Sequence, residues 1–175
     1  AVLKREGSCD VLINERKGGP NPFRKYNEGP KTENKPDARL ETLVFETSDI
    51  DKYFEIQKSR GVEFMTDDIV RADNFSFVQT IPSSFSGNSL GFIQWKGGDK
   101  RYSGQGDEEL KLPVSKPDLD HLKNIREIDH AATRIRAKHR DAAIVEFMEL
   151  TDYDFEFAIY VKVFNSITNV ARLSK

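Results

Sequence analysis

The sequence predicts an α+β fold built from strand–helix–three-strand units that form curved mixed sheets, with the second unit incomplete. Short apolar segments with alternating polarity recur along the chain, as half-buried strands require. Two further segments, 50–60 and 141–150, carry apolar residues at helical spacing. The order of strand, turn and helix occurs twice, which indicates an internal repeat.

Composition excludes several classes of protein. The 27 basic and 29 acidic side chains give a net charge of −2, so no basic excess favours a nucleic-acid partner. No run approaches the ~20 apolar residues of a membrane span, so we expect no membrane partner. The single cysteine, Cys9, excludes an intramolecular disulfide and a cysteine-rich zinc site. These features favour a cytoplasmic protein with Cys9 as a small buried apolar residue.

Glycine and proline divide the chain into four segments. We predict the end of a preceding unit and a linker over 1–37, a first unit over 38–98, a connector over 99–125 and the start of a second unit over 126–175. Strand-like sequence reaches close to both ends of the chain. We therefore expect these residues to be a piece of a longer polypeptide.

In the first unit, alternation of Leu43 and Phe45 with polar neighbours predicts a strand over 40–47. Ser48 or Asp49 is the expected N-cap of the following helix, and Gly61 its expected C-cap. Three further strands are predicted, at 62–65, 74–81 and 90–95.

The second unit repeats this order. A strand is expected over 125–135, followed by a helix over 141–150 with Ile144, Phe147 and Met148 on one face. Two more strands are predicted at 155–164 and 167–173, and another near the start of the chain at 9–14.

The two units differ at one position that bears on chemistry. The triplet Leu40-Glu41-Thr42 in the first unit corresponds to Ile128-Asp129-His130 in the second. A strand-borne histidine is a common metal ligand and threonine is not. Gln94 also stands in the last strand of the first unit, where a carboxylate ligand would be wanted. The first unit is therefore predicted to lack metal and the second to retain His130, although a histidine bonded to backbone is the alternative.

Several segments together resemble the vicinal-oxygen-chelate fold, and most closely the 4-hydroxyphenylpyruvate dioxygenase family. They are DVLINE at 10–15, LVFETSD at 43–49 followed by RGV at 60–62, GFIQWKGG at 91–98 with YSG at 102–104, and IDH at 128–130. Coverage extends over nearly the whole chain, although each motif is short.

The resemblance implies a non-haem Fe(II) enzyme. It makes His130 the first of two histidines and one glutamate around the iron, with the other two ligands beyond residue 175, and it places a substrate-contacting serine at Ser174. It implies that an aromatic 2-oxo acid and O2 react by oxidative decarboxylation and hydroxylation, as in tyrosine catabolism. Association of copies is a further expectation.

Two other functions remain open on the sequence. One is a metal-free module of the same fold that binds a small molecule, and the other is a different metal-dependent enzyme of the fold, such as an isomerase or epimerase. His121 and His139 have charged neighbours and are expected at the solvated surface.

Overall fold

The computed structural model describes residues 1–27, 37–98, 100–102 and 113–173. These residues form an α+β arrangement with two α-helices and three sheets. The main elements are β1 (Val2–Leu3), β2 (Val11–Leu12), β3 (Thr42–Glu46), α1 (Ile50–Ser59), β4 (Val70–Arg71), β5 (Phe75–Gln79), β6 (Ser89–Trp95), α2 (Arg140–Leu150), β7 (Tyr153–Val161) and β8 (Ser166–Leu173).

Contacts divide the chain into two compact units, each made of two stretches of sequence. One comprises Ala1–Asn21 with Asp107–Thr133, and the other comprises Pro22–Gly106 with Arg134–Lys175. The segment boundaries expected at residues 38, 98 and 126 follow the repeat in the sequence, and they stay predictions.

Residues 42–95 form a strand–helix–three-strand unit around a four-stranded sheet with the order β3–β6–β5–β4. β3 lies parallel to β6, with Thr42 opposite Ser89, whereas β5 is antiparallel to both β6 and β4. The strands predicted at 40–47, 74–81 and 90–95 are confirmed. The strand predicted at 62–65 was wrong, because that segment makes one isolated bridge, Phe64 to Thr80, and Val70–Arg71 forms the fourth strand.

The ends of α1 follow local sequence signals. The Asp49 carboxylate accepts a hydrogen bond from the Lys52 backbone N–H at 3.0 Å, which satisfies one of the unpaired donors of the first turn. At the other end Gly61 has a φ of +86°, a conformation that glycine adopts without steric cost. Asp49 is thus confirmed as the N-cap, whereas the C-cap is Arg60 and Gly61 is the left-handed residue that follows it.

The core lies between α1 and one face of the four-stranded sheet. Ile50 and Val78 are fully buried there, and Phe54, Leu90 and Phe92 pack beside them. Because residues alternate along a strand, this helix-covered face also carries Leu43 and Phe45, which pack against the same cluster. Burial of each large side chain stabilises the fold by roughly 1.5–3 kcal/mol.

α2 matches the helix predicted over 141–150 and packs against α1 through its last turn. Tyr53 Oη donates to the Leu150 carbonyl at 2.9 Å, and Gln57 Nε2 donates to the Glu149 carbonyl at 3.2 Å. Arg60 Nη1 donates to the same Glu149 carbonyl at 3.3 Å. These donors stand at positions i, i+4 and i+7 of α1, so one stripe of that helix caps the carbonyl end of α2.

β7 and β8 form an antiparallel hairpin with Tyr153 opposite Leu173 and a bulge between Phe155 and Phe157. They confirm the strand predicted at 167–173 and most of the one predicted at 155–164, which ends at Val161 before a 3-10 turn at Lys162–Phe164. Asn165 turns the chain with a φ of 45°, a left-handed conformation that asparagine tolerates.

The strand predicted over 125–135 was wrong. The structure has no strand between Ile125 and Arg136, and short 3-10 turns stand on either side, at Asp120–Asn124 and Ala137–His139. The isoleucines of this segment stand at 125, 128 and 135, so no period-two apolar face exists to be buried. β1 and β2 pair antiparallel near the start of the chain, which confirms the middle of the strand predicted at 9–14.

Candidate functional site

His130 lies in extended chain within the unit of Ala1–Asn21 and Asp107–Thr133. Its side chain is 78% exposed, and its Nδ1 is 2.7 Å from Oδ2 of Asp129. Two residues earlier, the backbone N–H of Ile128 donates to Ser8 Oγ at 3.1 Å, which attaches this segment to the first residues of the chain. The repeat predicted that a strand would position His130. In the structure, loop contacts position it instead.

The pair of Asp129 and His130 has the chemistry of a metal ligand with a supporting carboxylate. A carboxylate at Nδ1 favours the tautomer protonated there and leaves the Nε2 lone pair available to bind a metal. Among the described residues, however, no group of three or more His, Cys, Asp or Glu side chains converges. The residues described thus do not complete the two-histidine, one-carboxylate set that the resemblance implies.

Ser174, the expected substrate contact, lies outside the described residues. The strand that precedes it, β8, ends at Leu173.

Thr42 and Gln94 do not share a site, contrary to the comparison of the two units. Thr42 pairs with Ser89, so Gln94 stands five residues further along β6 and on the opposite face. Its Oε1 accepts from the Ile50 backbone N–H at 2.9 Å, and its Nε2 donates to the Ser48 carbonyl at 2.9 Å. Gln94 therefore holds the start of α1 on the helix-covered face, and a strand-parity count would have revealed this.

The sheet face that α1 does not cover, called here the outer face, includes Thr42, Val44, Phe77, Gln79 and Trp95. Gln79 Nε2 donates to Thr42 Oγ1 at 2.8 Å, which places one polar pair among apolar side chains. The Trp95 Nε1–H is buried without a hydrogen-bond partner in the described part of the chain. Ser89 Oγ, on the same face, is also buried without a hydrogen-bond partner among the described residues. The outer face therefore combines aromatic surface with unused polar atoms.

The other two histidines and the cysteine stand apart from these residues. His121 is exposed within the 3-10 turn at Asp120–Asn124. His139 is half-buried, with its ring 5.7 Å from that of Phe85, so the expectation of a solvated surface holds only for His121. Cys9 is exposed, and the expectation that it is buried was wrong.

Glu146 is a half-buried carboxylate that sequence analysis did not identify. It lies on α2 and accepts a hydrogen bond from Ser83 Oγ, which also accepts from the backbone N–H groups of Phe85 and Ser86. Burial raises the pKa of Glu146 above its usual value, the Ser83 hydrogen bond partly opposes this, and the charge of Glu149 adds to the rise. The signal in the sequence that could have predicted its burial was its position on the apolar side of a short helix.

In comparisons with known proteins, no family model, curated protein or solved structure matches the chain. Among the described residues, no helix combines the length and apolar character needed to cross a membrane.

Proposed function

We propose that this chain is part of a non-haem Fe(II) dioxygenase of the vicinal-oxygen-chelate fold that acts on an aromatic 2-oxo acid. One observation carries the proposal. Residues 42–95 have the order strand, helix and three strands, and their sheet order β3–β6–β5–β4 makes the first and last strands parallel neighbours. The order of strand, helix and three strands supports the proposal, because the resemblance implies units with this order.

The residues of the two predicted units would give them different roles, one as a metal-free scaffold and the other as the source of an iron ligand. The outer face of the four-stranded sheet places Thr42 beside Gln79, and neither side chain is a ligand suited to iron. Glu46, on the same face, is exposed and paired with Lys100. The unit of residues 42–95 would therefore serve as scaffold, and the imidazole of His130 would provide the iron ligand.

Asp129 and His130 are the residues of this chain that would take part in holding the metal. Asp129 would fix the proton on Nδ1, and His130 Nε2 would bind. Bound Fe(II) would supply O2 activation, and the described residues do not provide the other two ligands.

Iron binding by the complete protein tests the role of His130. We expect His130→Ala to weaken anaerobic Fe(II) binding at least about tenfold, because loss of one of three protein ligands removes a charge-neutral donor that no neighbour replaces. His121→Ala is the matched control, since His121 is another exposed histidine of the same unit. Equal iron affinity in the two variants would overturn the assignment.

A metal-free binding module is the second candidate, and the outer face favours it. Val44 is 51% exposed and Val70 is 45% exposed there, beside the polar pair of Thr42 and Gln79. Trp95 lies at the end of the same face, so a bound aromatic ligand would change its fluorescence. The test is a fluorescence titration of Trp95 with 4-hydroxyphenylpyruvate in the presence of a chelator. Saturable quenching without iron would favour the binding module over the dioxygenase.

The remaining proposals concern the surroundings of the protein. We propose a cytoplasmic location, a 2-oxo acid and O2 as small-molecule partners, and self-association. The exposed hairpin supports association, because both of its strands carry large exposed side chains, among them Phe157 and Ile159.

A further inference from the structure

A groove runs between α1 and β4, the edge strand of the four-stranded sheet. Its volume is about 430 Å³, which lies within the range of small-molecule sites in proteins. The buried side chains of Phe54 and Ile69 form its floor. Charged side chains of α1, β4 and the preceding loop form its rim: Asp51, Glu55, Lys58, Asp68 and Arg71. Because both floor residues belong to the core cluster, the floor is held in place by packing from below.

The groove lies on the side of α1 that α2 leaves free. α2 accepts hydrogen bonds from the stripe of Tyr53, Gln57 and Arg60. Successive residues of an α-helix are about 100° apart around its axis, so Glu55 lies on the opposite side of α1 from that stripe. The groove therefore stays open to solvent within the same compact unit that α2 completes.

An ion pair occupies one end of the groove. The Arg71 guanidinium on β4 bonds to the Asp51 carboxylate in the first turn of α1. This hydrogen bond lowers the pKa of Asp51 and raises that of Arg71, so both groups stay charged at neutral pH. The charge of Asp68 raises the pKa of Arg71 further. The Arg71 cation is therefore balanced by carboxylates that are already beside it.

Lys58 occupies the other end of the groove. Its Nζ donates to the Asp67 carbonyl at 3.0 Å and lies 5.0 Å from the centre of the Phe54 ring. Nearby, the Asp68 Oδ1 accepts from the Ile69 backbone N–H at 2.7 Å. Both ends of the groove are thus closed by groups that already have partners.

Glu55 is the exception on the rim. Its side chain is exposed, and it forms no hydrogen bond or ion pair with any residue in the part of the chain that the structure describes. The rim also carries three carboxylates against two cations, a net charge of 2 − 3 = −1. A cleft with an excess of one sign of charge attracts ligands of the other sign. The groove therefore favours a cation, with Glu55 as the available acceptor.

We propose that this groove binds a small organic ammonium ion with a compact apolar body. The Glu55 carboxylate would accept a hydrogen bond from the ammonium group. The apolar body would lie on the floor of Phe54 and Ile69 and leave water. The groove is formed by the helix side of the first unit, so the proposal depends neither on His130 nor on the outer face.

Charge complementarity predicts a preference between ligands of nearly equal size. Benzylamine is protonated at neutral pH, whereas benzyl alcohol carries the same ring and no charge. An ion pair at an exposed rim contributes modestly, so we expect benzylamine to bind at least about threefold more tightly than benzyl alcohol. Benzoate, which carries the charge of the rim itself, is expected to bind most weakly.

The test is an NMR titration of the chain with each of the three compounds, with the backbone amides of Glu55 and Ile69 as reporters. We expect saturable shifts with benzylamine. In Glu55→Gln its affinity should fall at least about threefold while that of benzyl alcohol is unchanged. Glu63→Gln is the matched control, because Glu63 is an exposed glutamate of the same unit that does not line the groove.

The comparison of the three compounds on the unaltered chain needs no variant, so it remains decisive whatever the substitution does to folding. Shifts that do not saturate, equal affinities for benzylamine and benzyl alcohol, or undiminished benzylamine binding in a folded Glu55→Gln variant would each overturn the site. Equal losses in Glu55→Gln and Glu63→Gln would do the same, because they would reflect the net charge of the chain alone.

Discussion

Tyr53 joins the two helices through a hydrogen bond that is largely removed from water. Its hydroxyl donates to the Leu150 carbonyl at 2.9 Å, and its ring stacks on Phe92 with 4.0 Å between ring centres. Burial raises the pKa of Tyr53 well above its usual value, so the phenol stays protonated and remains a donor at neutral pH.

We expect Tyr53→Phe to lower the free energy of unfolding by about 0.5–1.5 kcal/mol, because it leaves the Leu150 carbonyl without this donor. Urea denaturation followed by circular dichroism measures the change. Tyr160→Phe is the control, since Tyr160 is 58% exposed and its hydroxyl donates to Asn165 Oδ1 within the hairpin. Losses of equal size in both variants would show that the contact between the helices contributes no extra stability.

Glu146 is a residue whose charge opposes folding at neutral pH. Its pKa is raised by burial, so the folded state binds its proton more tightly than the unfolded state does. The stabilisation that goes with this tighter binding is fully present below the unfolded pKa and is lost as the pH rises through the folded pKa.

We expect Glu146→Gln to stabilise the chain at pH 7 and to have little effect near pH 3, where both side chains are neutral; the crossover begins at the ordinary glutamate pKa of about 4.3. The amide oxygen still accepts from Ser83. Unfolding free energies across this range provide the measurement, with the acid value as internal control. A gain that is the same at both pH values would exclude ionisation as its cause.

Among the elements, β6 has the tightest packing requirement. It lies between β3 and β5, and its first five residues are all buried. At Gly91 an added Cβ would stand 3.0 Å from the Phe77 ring and 3.1 Å from Val44 Cγ2. The absence of a side chain therefore lets these two residues close over the outer face of the strand.

We expect Gly91→Ala to destabilise the unit by about 1–3 kcal/mol, because both neighbours must shift to admit the methyl group. Gly98→Ala is the control, since a Cβ there has no heavy atom within 4 Å. Thermal or urea unfolding compares the two. A Gly91→Ala variant as stable as the Gly98→Ala variant would contradict this packing.

How well the sequence predicted an element depended on whether its signal was local. Asp49, Gly61 and the alternation around Phe45 act within a few residues, and the structure confirms them. The segment around His130 was predicted to be a strand by analogy with the repeat, although pairing requires a partner strand and an apolar face. Gln94 was likewise assigned by analogy, and its true role depends on α1, which is 35 residues or more away in sequence.

At the scale of the whole molecule, the two helix-bearing stretches of the repeat share one compact unit. Leu150 joins the core cluster of α1 and the sheet, and the Phe147 ring meets that of Phe45 at 6.0 Å. The sequence predicted both helices but not their contact, because the stripe of Tyr53, Gln57 and Arg60 reads as an ordinary helix surface until α2 is in place.

The most direct test of the proposed function is gas stoichiometry in the complete protein, purified anaerobically and loaded with Fe(II). The central claim of the proposed function is that the protein uses O2 to decarboxylate a 2-oxo acid. We predict that 4-hydroxyphenylpyruvate triggers O2 uptake with release of one CO2 for each O2 consumed, and that His130→Ala abolishes both. Tight binding of the acid with no O2 uptake in the iron-loaded protein would contradict the dioxygenase and leave the metal-free binding module in its place.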